Sequence, residues 1–207
     1  MSFTSEVKEE ICTLKLDKAD KISELSGIIG SSFDGHNIRV VTESNMVARR
    51  IYSLIKDLFG IYPKVTVRKG YNYNKKFLYI VEVLENKKKV LDELGIGDFV
   101  PSLFIWADEG LARAYLRGVF LTSGSINDPK TARYHLEFNL SNLNYAEFIK
   151  KLLNSFNLNS KILHRENHYM VYVKGASEIG DFLTMISAIN AVLYYEDIRI
   201  YRDHKNM

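Results

Sequence analysis

The sequence predicts an α+β protein built from two similar halves, and three observations carry that expectation. Two apolar, glycine-bearing helical segments, Leu25–Phe33 and Leu116–Gly124, lie 91 positions apart. The same order of helices and strands follows each of them, which is how an internal repeat reads in sequence. The strand runs alternate apolar and polar residues, as expected of antiparallel sheets covered by helices on one face only.

The elements follow in order. The N-terminal segment 1–19 is helical in pattern and leads into a first half at 20–95. After its glycine helix, a turn at Asp34-Gly35 leads to the strand-like run Ile38–Thr42, the pair expected to form a short hairpin. Val47, Ile51, Leu54, Ile55 and Leu58 then recur at helical spacing, with Ser44 or Asn45 placed to cap the start and Gly60 to end it. Strands are expected over Tyr62–Arg68 and Lys76–Val83, flanking the polar turn Lys69–Asn74, before a short Lys-rich helix over Asn86–Leu94. The segment 96–107, with Gly97 and Pro101, reads as a linker.

The second half, 108–190, repeats the order. A glycine helix starts near Asp108, and a turn at Asn127-Asp128-Pro129 precedes the alternating strand Tyr134–Leu140. Ser141 or Asn142 can cap a helix carrying Tyr145, Phe148, Ile149, Leu152 and Leu153. Strands Lys161–Arg165 and His168–Lys174 flank a turn at Glu166-Asn167, and a helix over Ala176–Ala188 closes the unit. Residues 191–207 form an exit segment.

Composition narrows the class. With 46% hydrophobic and 26% charged residues, neither a disordered chain nor a membrane protein is expected. The start has no basic-then-apolar leader pattern, and the single Cys12 excludes an intramolecular disulfide and a cysteine-rich zinc site. A cytosolic protein is the expectation. A net charge of +3 does not by itself point to nucleic acid, so any such argument must rest on where the cations lie.

Glycine inside a helix costs about 1 kcal/mol relative to alanine. Gly27, Gly30 and Ser31 share one helical face, as do Gly118 and Thr122. Close packing of the two helices would explain these residues; the alternative is that Gly30 merely ends its helix and each glycine is tolerated separately.

The paired helices and the elements after them resemble the LAGLIDADG fold of homing endonucleases, in which two such helices pack along a pseudo-two-fold axis beside an open saddle of antiparallel strands. The endonuclease motif ends in a carboxylate that binds the catalytic metal. Here the equivalent positions are Ser32 and Ser123. Ser2–Ile11, Ala114–Leu121, Ser123–Pro129 and Tyr134–Glu137 narrow the resemblance to the WhiA family of bacterial regulators. It covers essentially the whole chain. That resemblance implies a degenerate LAGLIDADG domain and a role in transcription, cell division, chromosome segregation and, in some bacteria, sporulation. It also implies a nucleoid-associated protein with a partner in the transcription machinery. Family members continue past the point equivalent to Met207 into a C-terminal helix-turn-helix, their main DNA reader.

A metal-dependent nuclease needs hard anionic oxygens near the scissile phosphate. Serine hydroxyls supply none, and the nearby Asp34 and Asp128 fall in turns. Asp20 and Asp108 lie at the far helix ends, as caps or dipole partners. No HExxH, GxGxxG or phosphate-loop lysine is present, so neither a metal nor a cofactor nor a small-molecule substrate is expected. Strand alternation instead displays Arg39, Lys64, Arg68, Lys76, Lys161, Arg165 and Lys174 against Glu43, Glu82 and Glu137 on the faces away from the helices. Such a surface would hold DNA weakly and without sequence preference. Mixed charge is also what any solvated sheet face shows. A protein-binding or dimerising platform, with Tyr71, Tyr73, Phe104 and Trp106 as anchors, stands beside the DNA reading.

Overall fold

The computed structural model describes residues 1–70, 76–97 and 104–206. Helix α1 (Phe3–Ile11) starts at Ser2, whose hydroxyl accepts the Ser5 amide, and buries Phe3, Val7 and Ile11 along one face. Helix α2 (Lys18–Ser32) is capped by Asp17, whose carboxylate accepts the Asp20 amide at 2.8 Å.

A single strand, β1 (Ile38–Thr42), follows where a short hairpin was expected. The physical reason is the length of α2, which runs to Ser32 and leaves only Phe33 before a turn. In that turn the Asp34 carboxylate accepts the amides of His36 and Asn37 at 2.8 and 2.7 Å, so no strand precedes β1 to pair with it.

Helix α3 (Asn45–Phe59) is capped by the Ser44 hydroxyl and ends at Gly60, whose φ of +64° lies in the left-handed region that favours glycine. Strands β2 (Lys64–Lys69) and β3 (Phe77–Val83) complete an antiparallel sheet of order β1-β3-β2, and α4 (Lys87–Glu93) follows. The short α5 (Phe104–Ala107) lies within the expected linker. Helix α6 (Glu109–Ser123) then opens at Asp108, whose carboxylate accepts the Leu111 amide at 3.1 Å.

The second sheet has order β4-β5-β7-β6, from β4 (Gly124–Ile126), β5 (Leu136–Leu140), β6 (Lys161–His164) and β7 (Tyr169–Val173). Between β5 and β6 runs α7 (Leu143–Ser155), capped by Asn142. Helix α8 (Ala176–Met185) ends earlier than expected, and the exit segment is itself helical as α9 (Ile189–Asn206).

The sequence pattern hides α9 because only Ala191 and Tyr195 on it are buried, while Ile189, Leu193 and Ile200 are exposed. Distant residues hold it. The Glu10 carboxylate accepts the Asn190 and Ala191 amides at 2.7 and 2.9 Å, and the Tyr195 hydroxyl donates to the Ala176 carbonyl at 2.6 Å. Arg202 lies over the Tyr134 ring and donates to the Pro129 carbonyl at 2.8 Å.

Two compact units emerge: Lys15–Thr122, and Met1–Leu14 together with Ser123–Met207. The first therefore holds both glycine helices, with α6 up to Thr122, beside the three-stranded sheet. The second joins α1 to the four-stranded sheet; Thr4 bridges to Ile126, donating to its carbonyl at 2.9 Å and accepting its amide at 3.0 Å.

Candidate functional site

Helices α2 and α6 meet backbone to backbone. A Cβ at Gly27 would overlap the Tyr115 carbonyl oxygen and stand 3.1 Å from the Val119 amide nitrogen. A Cβ at Gly118 would overlap the Glu24 carbonyl oxygen and stand 3.0 Å from the Ile28 amide nitrogen. Each glycine thus faces the carbonyl three residues before its counterpart and the amide one residue after it, the signature of a local two-fold. Ser31 and Thr122 occupy equivalent positions and share a hydrogen bond of 2.6 Å. Contacts rise together along both helices, from Ser23 on Leu111 to Ser31 on Thr122, so the helices run in the same direction. Gly30 is half-buried in the last turn of α2; the hydrogen bond across the seam there comes from Ser31.

One turn back lies a charged cluster that sequence reasoning did not single out. Glu24 on α2 is wholly buried, and its Oε1 accepts from Arg117 Nε at 2.5 Å and from Arg50 Nη2 at 3.1 Å. Its Oε2 accepts from Arg50 Nε at 2.8 Å. The three residues come from α2, α3 and α6, 26 and 93 positions from Glu24, so no local pattern announces them. Nearby, Ser26 donates to the Leu94 carbonyl and Ser23 to the Leu111 carbonyl, which satisfies the hydroxyls of a helix otherwise buried from Ser23 to Ile29.

The endonuclease metal does not fit the residues at the motif ends. Ser32 is neutral, and its hydroxyl donates to the Ile28 carbonyl of its own helix at 2.8 Å. Ser123 likewise carries no anionic oxygen. Asp34 is engaged in its turn, and its carboxyl is held below the usual range by the Asn37 and His36 amides. Asp128 accepts the Lys130 amide at 2.9 Å and the Tyr194 hydroxyl at 3.0 Å. Among the described residues no group of three His, Cys, Asp or Glu side chains is placed to hold a metal ion.

The strand registers settle which residues share a face. In the first sheet Arg39 and Lys64 both stand opposite Glu82, and Arg68 lies on the same side. Lys76 extends the row and pairs with Glu43 at 3.2 Å. That face is less polar than alternation suggests, because Val41, Leu78 and Ile80 lie on it too, and Ile80 is buried. In the second sheet Lys161 stands opposite Tyr172. Arg165, Lys174, Tyr172 and Glu137 line one concavity of about 920 Å³ with His135, Arg133, Leu163 and Met170. There the Tyr172 ring stacks on His135 at 6.0 Å and carries Lys174 Nζ 5.2 Å from its centroid. All seven predicted cations are exposed. Of the expected aromatic anchors, Tyr71 and Tyr73 lie outside the described residues, Phe104 is half-buried and Trp106 is exposed.

Family models match the chain in two places: the WhiA N-terminal LAGLIDADG-like domain over residues 22–97 and the WhiA LAGLIDADG-like domain over residues 112–205. The chain belongs to the WhiA family. A WhiA from Staphylococcus aureus, described as a probable cell division protein, is 41% identical over 217 aligned residues, spanning all of this chain and 69% of the relative. Full-length DUF199/WhiA from Thermatoga maritima superposes with a TM-score of 0.77 at 26% identity, covering 98% of this chain and 67% of that one. The homing endonuclease I-DmoI, solved in complex with DNA and calcium, superposes with a TM-score of 0.54 at 15% identity over 79% of this chain and 87% of that one. That last likeness concerns the fold alone. WhiA chains thus share the LAGLIDADG architecture, with mixed helices and antiparallel sheets.

Proposed function

We propose that this chain is the non-catalytic regulatory part of a WhiA-type DNA-binding regulator, acting in transcription linked to cell division, chromosome segregation and, in some bacteria, sporulation. It works in the cytoplasm at the nucleoid, and its own contribution to DNA binding is weak and insensitive to sequence. Seven exposed cations on the sheet faces, within a fold whose solved endonuclease relative I-DmoI carries DNA, support this reading above all. The serines at the motif ends support the absence of cleavage chemistry.

Phosphate contact by such surfaces should give non-specific affinities of about 10⁻⁴–10⁻⁶ M at physiological salt. Fluorescence anisotropy with a short duplex of random sequence measures it. Replacing Arg39, Arg68 and Arg165 together by Glu is expected to abolish binding and flatten its salt dependence. A parent that fails to bind even at low salt, or a triple variant that binds like the parent, overturns the reading.

One observation favours a second reading, a platform for a protein of the transcription machinery. Exposed Val41 and Leu163 lie on the same faces as the cations, together with buried Ile80 and Met170. Apolar groups there gain nothing from phosphate. If the triple variant leaves DNA binding intact, this reading takes precedence.

A further inference from the structure

Strand β2 is the outer strand of the first sheet, and among the described residues its apolar side is left uncovered. The register sets Val65 opposite Val81 and Val67 opposite Tyr79, on the side of the sheet where α3 lies. Val81 is buried, yet Val65 and Val67 are 44% and 54% exposed. Between α3 and β2 runs a groove of about 380 Å³, lined by Ala48, Arg49, Tyr52, Val65, Val67 and Tyr79 among others. The corresponding place in the four-stranded sheet is better covered, with α7 packed against β6 and Ile162 half-buried. Alternating β-branched residues suit a half-buried strand, and an outer strand offers unpaired backbone N–H and C=O groups.

Charge surrounds this apolar floor. Lys64 and Arg68 project from β2 to the opposite face, and Arg49 stands on α3 at the groove. All three are exposed, and none forms an ion pair among the described residues.

We propose that the groove docks an extended segment of a partner protein, which adds to β2 as a further strand and alternates apolar with acidic side chains. Its apolar side chains fall on Val65, Val67, Tyr52 and Tyr79. Its acidic side chains, pointing the other way, lie beside Lys64 and Arg68. The two-residue period of a strand makes both contacts follow from one register. Main-chain hydrogen bonds to the free edge serve any strand, so the alternation supplies the selectivity. A basic segment is repelled by Arg49, Lys64 and Arg68. A second copy of this chain pairing through β2 sets like charges against each other, which is unfavourable in a sheet.

Selection of a random peptide display library against the whole chain tests the proposal. Enriched peptides should alternate apolar residues with Asp or Glu, and a synthetic peptide of that consensus should protect the Val65–Lys69 amides from hydrogen exchange. The double variant Val65→Thr, Val67→Thr keeps strand-forming residues and should weaken peptide binding by about tenfold or more. Because Lys64 and Arg68 also belong to the proposed DNA face, the valines are changed instead. DNA binding of the double variant should match the parent, which separates failure here from failure of the DNA reading. No enrichment, peptides without the acidic alternation, binding that survives the valine changes, or protection confined to other segments each overturns the proposal. So does self-association of the parent, in sedimentation, that the valine changes abolish, since the occupant is then a second copy.

Discussion

Glu24 is a wholly buried carboxylate in the first unit. A carboxylate out of solvent is tolerable only when paired and hydrogen-bonded, and Glu24 is held by two guanidiniums. Arg117 depends on it equally, being buried with its Nη2 making no hydrogen bond. Glu24→Ala is expected to cost about 3–5 kcal/mol in urea unfolding, because it strands the buried cation. A loss well below that range would mean that water or a rearranged side chain reaches Arg117. Asp20, a turn earlier on α2, behaves differently. Its pKa is raised first by burial and then by the Asp17 carboxylate, against the lowering influence of Arg117. A raised carboxyl pKa means the folded state binds the proton more tightly, so stability falls as pH rises from the ordinary value of 3.8 through the folded one. Asp20→Asn should therefore melt higher than the parent at neutral pH, with the difference shrinking as pH is lowered towards 4. A difference that stays constant with pH would assign it to something other than titration.

At the scale of elements, the seam between α2 and α6 demands glycine through sterics alone. The atom that a Cβ at Gly118 would strike is a backbone oxygen, which no side-chain rotation can move aside. Gly118→Ala gains about 1 kcal/mol of helix propensity, yet it should destabilise the protein overall. Gly118→Leu should go further, with overpacking costs of about 1–3 kcal/mol or more. Gly97→Ala is the control, since a Cβ there meets nothing within 4 Å among the described residues. Thermal unfolding of the variants decides it: a near-neutral Gly118→Ala would mean that the two backbones do not approach this closely. Helix α9 shows the opposite dependence. Its identity as a helix rests less on its own apolar pattern than on a carboxylate 180 positions earlier and on Tyr195 and Arg202.

For the whole molecule, the expectation is that duplex DNA is not cleaved with Mg²⁺ or Mn²⁺. Metal-assisted phosphodiester chemistry needs anionic ligands, and the motif ends offer hydroxyls, one of them already bonded within its helix. Incubation of supercoiled plasmid with each ion, read by nicking, measures this. Nicking that disappears on Asp34→Asn or Asp128→Asn would show that displaced acids had taken over the role.

The sequence by itself determined what local chemistry determines. Ser44, Asn142 and Gly60 stand where helices start and stop, because caps and left-handed residues act within a turn of chain. The alternation of Ile38–Thr42 and Leu136–Leu140 placed apolar side chains on one face, and the serines at 32 and 123 were visible as missing carboxylates. Tertiary structure alone decided the rest. Glu24, Arg50 and Arg117 form one cluster only after three helices meet, and α9 becomes a helix through partners far along the chain. Strand β3 reads as nearly apolar, Glu82 apart, so only its pairing on both sides showed which residues face α3. The outer strand β2 alternates correctly, yet α3 leaves its valines exposed, since coverage of a face depends on where the neighbouring helix lands. Hydrophobic pattern specifies which side of an element seeks cover; only the packed molecule determines whether cover is there.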